Sequence, residues 1–202
     1  MKAKLLTTIV VLLLTPGLLY AAKSSKNSDQ LNILIDALVV CPPNSAVRFV
    51  DNGDGTVCDH QTGLMWEMKD ASDSTQDLSN PRDVDNNYTW SISGGPPDGT
   101  AYTDFLARLN GTIAGTSPSE QLGGHRDWRL PTSAELQTIL DCSAGAPCID
   151  PTFGPTAASA YWSSTSNAGN PDLAWFANFF NGDVLIFNES IDLRVRAVRG
   201  GR

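Results

Sequence analysis

Eighteen of the 22 acidic residues are aspartate, and only Glu67, Glu120, Glu135 and Glu189 are glutamate. Aspartate competes with the backbone for hydrogen bonds and favours turns and caps, whereas glutamate favours helix interiors. A chain so skewed, with 17 glycines and 12 prolines, is expected to be rich in loops and short strands and poor in helix. The 202 residues are 41% hydrophobic and 18% charged, which excludes a disordered polar tract and a membrane bundle.

The N-terminus has the three-part layout of a secretory signal peptide: Lys2 and Lys4, the apolar run Leu5 to Leu14, then Pro16, Gly17 and the small pair Ala21 and Ala22. The run is shorter than the ~20 apolar residues of a membrane span, so residues 1–21 are expected to be removed and the mature chain to carry no span. Loss of Lys2 and Lys4 leaves 12 basic residues against 22 acids, a net charge of −10. That charge excludes non-specific binding to nucleic acid. Export, to the periplasm or the cell surface, places the four cysteines in an oxidising space. Cys142 and Cys148 bracket the turn-rich stretch Ser143 to Pro147, a loop that closes easily, and Cys41 and Cys58 flank a hairpin. The expected disulfides are therefore 41 with 58 and 142 with 148.

Residues 22–46 read as a spacer. Within it Leu31, Leu34, Ile35 and Leu38 form the stripe of a short amphipathic helix, ended by Cys41-Pro42-Pro43. Residues 31–40 could pack on their own domain or support weak oligomerisation. The domain itself is expected over residues 47–200. Asp51-Asn52-Gly53-Asp54-Gly55 and Gln61-Thr62-Gly63 separate three short strands of a meander, since Asn-Gly and Asp-Gly supply the positive φ of hairpin turns. A helix is expected over 101–110, stopped at Gly111, and a second after the capping box Thr132-Ser133-Ala134-Glu135. Strands return at Tyr161 to Ser164, Ala174 to Phe180, Val184 to Asn188 and Leu193 to Val198, the last free to pair with the first. Residues 70–98 are a long irregular excursion pinned by Tyr88 and Trp90.

Six motifs in one order, the run from Arg48 through Trp66 (RFVDNGDGTVCDHQTGLMW), TAYTDFLARLNG, DWRLPTSAELQTILD, YWSSTS, AWFANFFNGDV and VRAVRGG, resemble the bacterial domain of unknown function 1566. That family is also known as the C-terminal domain of the Legionella collagen-like protein. The resemblance spans roughly residues 47–200. It implies an α+β, C-type-lectin-like fold with antiparallel strands, two helices and long irregular loops, related to sulfatase-modifying enzymes and to receptor-binding proteins. The family has no agreed activity, and its best-known member is an adhesin for sulfated glycans.

No hydrolase or phosphate-loop signature is present, and the two histidines, His60 and His125, stand apart. Asp51, Asn52, Asp54 and Asp59 fail the EF-hand spacing because positions 3 and 5 are Gly53 and Gly55. The resemblance adds no calcium site, since Trp162-Ser163-Ser164 stands where sugar-binding lectins of this fold carry Trp-Asn-Asp. No cysteine follows Cys148, whereas the sulfatase-modifying relatives use a late reactive pair. No metal, cofactor or catalytic residue is therefore assigned. Trp66, Trp128 and Trp162 lie in apolar strings and are expected in the core. Tyr88, Trp90, Trp175 and Phe180 have polar neighbours and are the candidates for an exposed binding face, with Arg194 and Arg196 as candidates for anionic ligands. The leading expectation is an exported, non-catalytic module that binds a glycan or a protein surface. The alternatives are an altered relative of the sulfatase-modifying enzymes and a structural appendage component. A cleft lined by Trp90 and Trp175 would indicate a small ligand, and a flat face a protein or polymer.

Overall fold

The computed structural model describes residues 40–42, 46–70, 73–113 and 121–200. The leader, most of the spacer and the stripe over residues 31–38 lie outside them. Turn chemistry builds the first sheet: β1 (Phe49–Asp51), β2 (Thr56–Asp59) and β3 (Leu64–Glu67) form an antiparallel meander. Between β1 and β2, Gly53 and Gly55 take φ of 76° and 85°. There the Asp51 carboxylate accepts from the Gly53 amide at 2.8 Å and the Asp54 carboxylate from the Thr56 amide and hydroxyl at 3.0 and 2.6 Å. These carboxylates shape the turn, as Asx turns do. Among the described residues no three metal-ligand side chains gather closely enough to hold an ion. In the next turn Asp59 accepts from Arg48, the Gln61 amide and the Thr62 hydroxyl. Burial alone would raise its pKa, but those partners together hold it below the ordinary carboxylate value.

The second sheet is antiparallel too: β4 (Ala160–Ser166), β5 (Leu173–Asn178) and β6 (Val184–Asn188) follow in sequence order. The final strand is shorter than the pattern predicts. Only β7 (Val198–Arg199) is strand, and it pairs with β3 rather than with β1. The preceding residues are shared among several elements: Leu193 exchanges backbone bonds with Tyr88, Arg194 with Ala160 and Trp162, and Ala197 accepts from Glu67. A segment threaded between two sheets divides its ladder bonds and cannot complete one strand.

Among the described residues, two helices accompany the sheets, besides short 3-10 turns at Leu122–Gly124 and Pro151–Phe153. The first opens as a π-helix, Ala101–Leu106, and finishes as an α turn, Ala107–Leu109, before Gly111 at φ 62°. It starts hard against the preceding loop, where a Cβ on Gly99 would collide with the Thr89 carbonyl. The second, Ser133–Thr138, has both halves of the capping box. The Thr132 hydroxyl accepts from the Glu135 amide at 3.1 Å, and the Glu135 carboxylate accepts from the Thr132 amide at 2.8 Å. Thr132→Ala removes the acceptor for an otherwise orphaned amide and is expected to cost about 1 kcal/mol in chemical denaturation; an unchanged midpoint would place the helix start elsewhere.

Strands β2 and β3 are buried along both faces, so the first sheet lies between two apolar clusters. One contains Cys58, Met65, Tyr88, Trp90, Phe105, Trp128 and Trp162. The other contains Val57, Trp66, Leu136, Ile139, Phe153, Tyr161 and Phe179. Trp66, Trp128 and Trp162 are core residues, as their apolar surroundings predict. Cys41 is bonded to Cys58 and Cys142 to Cys148, the expected pairing. Two disulfides fit an oxidising compartment, and no described helix is long and apolar enough to cross a membrane.

Candidate interaction surface

The aromatic residues expected on a binding face divide between core and surface. Trp90 is only 3% exposed; its indole Nε1 donates to the Ser163 carbonyl at 2.8 Å and its ring meets Tyr102 edge-on at 5.5 Å. Tyr88 is buried, its ring 5.3 Å from Phe105 and its hydroxyl accepting from Asn86 at 3.2 Å. Burial, reinforced by the Glu67 and Asp104 charges, raises the Tyr88 pKa. Both residues are corrections to the expected face. Their polar neighbours are turn formers whose side chains bond to the loop itself, which leaves the rings free to turn inward. Trp90 and Trp175 therefore share no cleft. Trp175 is half-buried on β5, and Phe180, in the turn after β5, is 63% exposed.

The arginines are occupied as well. Arg196 is fully buried, donating to the carbonyls of Glu67 at 2.7 Å and Phe153 at 3.3 Å and to the Thr156 hydroxyl at 2.8 Å. Arg194 donates to the Val84 carbonyl and lies 4.0 Å from Asp85. They do not form one outward face, because the segment that carries them is not a continuous strand. Arg48, Arg82, Arg108, Arg129 and Arg199 are each paired with an acid, and Lys69 is buried against Glu67. Among the described Lys and Arg residues, only Arg126 is exposed without an acidic partner. A polyanion would find almost no unengaged cation here, and the Asp-rich exterior would repel it.

A shallow hollow of about 250 Å³ lies between Thr62, Leu64, Ala134, Glu135 and Thr138. Its one carboxylate, Glu135, is already held by Arg129 at 2.6 Å and by the Thr132 amide. Burial raises the Glu135 pKa, and these partners bring it below the usual value. A carboxylate committed to a cap and an ion pair is not poised to move protons.

Three of the exposed large apolar residues fall together on β6, while Val47, Leu78, Ile92 and Phe180 are exposed singly elsewhere. Leu185 is 51% exposed, Phe187 48% and Ile186 38%, with Ile191 exposed just beyond. In register, Phe176 and Ala174 of β5 lie opposite Leu185 and Phe187, and Trp175 lies opposite Ile186. The Phe176 and Phe187 rings meet edge-on at 6.3 Å. Strand alternation thus sets Leu185, Phe187 and Phe176 on one face and Ile186 with Trp175 on the other. The strand is firmly seated on its inner side. At its C-terminal end the buried Glu189 receives the Trp90 and Ser91 amides on its carbonyl, both at 3.0 Å, and the Gly95 amide on its carboxylate at 3.1 Å. Burial, with Asp172 and Asp98 nearby, raises the Glu189 pKa.

The sequence pattern marks Val184 to Asn188 as a strand but does not single out Leu185 to Phe187 as exposed. An unbroken Val-Leu-Ile-Phe run ordinarily signals a strand buried on both faces. The available signal was position: the run lies directly after the Asn181-Gly182 turn, as the last member of a meander, where one edge has no following strand to cover it. The sequence model of the Lcl C-terminal domain family matches residues 55–199. No curated protein matches the chain.

Proposed function

This chain belongs to the Lcl C-terminal domain family, and we propose that it is an exported, non-catalytic recognition module on a C-type-lectin-like scaffold, which holds its ligand on the apolar surface of β6. The observation that carries the reading is the run Leu185-Ile186-Phe187, three successive apolar side chains of one strand left substantially open to solvent, whereas the other exposed large apolar residues among the described ones stand singly in loops and turns. Leu185 and Phe187, with Phe176 beside them, form an apolar patch on one face of the strand, while Ile186 is open on the other; an exposed apolar patch with a polar margin is the usual form of a protein or polymer contact. Two further features support it. All four cysteines are in disulfides, leaving no thiol for chemistry of the sulfatase-modifying kind. The engaged arginines and the acidic exterior favour a neutral or cationic partner over a sulfated glycan.

The reading is tested by presenting the full exported chain to an array of neutral glycans, sulfated glycans and a random peptide library. Leu185→Asp combined with Phe187→Ser should leave the protein folded, with a modest fall in melting temperature because Phe187 gives up its edge-on contact with Phe176, and should weaken the retained ligands by about tenfold or more. Retention by sulfated glycans alone, unaffected by these substitutions, would overturn it.

A further inference from the structure

Among the described residues, the outer edge of β6 has an unused hydrogen-bonding ladder. Antiparallel pairs alternate between residues that exchange backbone bonds and residues that turn theirs away. The Asn178 amide donates to the Asp183 carbonyl at 2.8 Å and the Glu189 amide to the Asp172 carbonyl at 3.0 Å. These two bonds fix the phase: Leu185 and Phe187 direct their amides and carbonyls toward β5, while Val184, Ile186 and Asn188 direct theirs outward. The Asn188 carbonyl is taken by the Ile191 amide at 3.2 Å. What remains is a row of donors and acceptors at Val184 and Ile186, continued by the Asn188 amide.

Natural sheets protect such edges with lysines, prolines, bulges or covering loops. Val184 to Asn188 contains no charge and no proline, and its register with β5 is unbroken. The irregularity of this sheet lies on the far side, between Trp162 and Ser166 of β4. β6 stands last in the sheet order, and no described strand pairs with its outer edge.

The charge around this edge selects what can lie along it. Asp183 precedes the strand at one end and Asp192 follows it at the other, and both are exposed. The basic side chains nearest in sequence, Arg194 and Arg196, are turned to Asp85 and into the core. A second copy of this chain is a poor occupant. With Ile186 on a twofold axis it would bring the Asp183 end of each strand against the end of the other that Asp192 follows, within a chain that already carries −8, and like charges facing across strands are destabilising.

Building on the recognition reading above, we propose that β6 is a strand-addition site: it takes an extended polypeptide segment, apolar at alternate residues and flanked by Lys or Arg, as a fourth strand of the second sheet. The backbone ladder supplies affinity, while Leu185 and Phe187 on one face and Ile186 on the other select the incoming side chains. The acids at the two ends select the flanks.

Three synthetic peptides test this on the full chain: Lys-Lys-Val-Thr-Val-Thr-Val-Lys-Lys, the same core flanked by Glu, and the Lys-flanked peptide N-methylated at alternate core amides. The first should bind saturably, and the other two should bind about tenfold or more weakly. Ile186→Pro removes an outward amide and no bond to β5, a position where an edge strand tolerates proline. It should weaken the Lys-flanked peptide about tenfold with the melting temperature unchanged. Should that variant unfold, Asp183→Lys with Asp192→Lys serves instead, and should reverse the preference toward the Glu-flanked peptide. Absence of saturable binding, equal binding of the N-methylated peptide, or unchanged preference after charge reversal would overturn the proposal. A dimer of the parent chain in sedimentation that Ile186→Pro dissolves would overturn it too, assigning the edge to a second copy. If the peptides fail while Leu185→Asp with Phe187→Ser still weakens the arrayed ligands, strand addition alone falls; if those ligands are also unaffected, the recognition reading falls with it.

Discussion

Trp90→Ala is expected to destabilise the fold by about 3–5 kcal/mol, the cost of removing a buried indole and leaving a cavity. Three contacts are lost with the ring or loosened by its loss. The Nε1 bond to the Ser163 carbonyl, 2.8 Å long, joins the irregular excursion to β4 across 73 residues of sequence. The edge-on packing on Tyr102 joins the same loop to the first helix. The Trp90 amide and carbonyl, bonded to Glu189 and Gly99, depend on the ring for their position. Phe180→Ala, by contrast, truncates a largely exposed ring and should change stability by no more than about 0.5 kcal/mol. Urea denaturation of the two variants side by side measures the difference. A Trp90→Ala loss below that of Phe180→Ala would return Trp90 to the surface and undo the assignment of the core.

Lys69→Met should produce a loss of similar size by a different route. The Lys69 ammonium is buried, 2.8 Å from the Glu67 carboxylate, 3.1 Å from the Pro81 carbonyl and 4.6 Å from the centre of the Phe105 ring. Burial pushes its pKa below the ordinary lysine value, and Glu67 pulls it back. Glu67 is itself buried, and its carboxylate accepts from the Ala197 amide at 2.9 Å. A neutral side chain at 69 strands that carboxylate without its cation, and breaking a buried pair in this way costs about 3–5 kcal/mol. Adding Glu67→Gln keeps an acceptor for Ala197 while removing the stranded charge. The double variant should therefore recover more than half of the loss, and denaturation midpoints that show no recovery would assign the effect to packing of the lysine stem instead.

Both predictions concern residues whose roles depend on distant parts of the chain, and this separates what could be read in advance from what could not. The hairpin turns at Gly53 and Gly63, the capping box at Thr132, the helix stop at Gly111 and the pairing of the four cysteines all rest on interactions spanning a few residues or on short loops. Their chemistry is written in adjacent letters, and the structure places them as expected. The meander β4 to β6 was legible for the same reason, since tight turns join consecutive strands.

The candidate surface was legible only in part. Phe180 lies outside as expected and Trp175 is half-buried, whereas Tyr88, Trp90 and Arg196 lie within the core and Leu185 to Phe187 emerge as the exposed apolar run. In an irregular loop no periodicity links a side chain to a face, so the orientation of Trp90 is decided by Ser163 and Tyr102 rather than by its polar neighbours. Arg196 shows the same dependence, because carbonyls of Glu67 and Phe153, 129 and 43 residues away, accept its donors.

What the amino-acid sequence determined by itself was the set of local devices: turns, caps, strand lengths near the hairpins, disulfide partners and an acidic balance that disfavours polyanions. What only the tertiary structure decided was which apolar residues the core had room for. Burial is a competition among all segments for the same interior, and the C-terminal segment threads between the two sheets while β6 remains at the end of the second. The same Val-Leu-Ile-Phe pattern would be core in a central strand; here, among the described residues, it belongs to the last strand of its sheet and faces water.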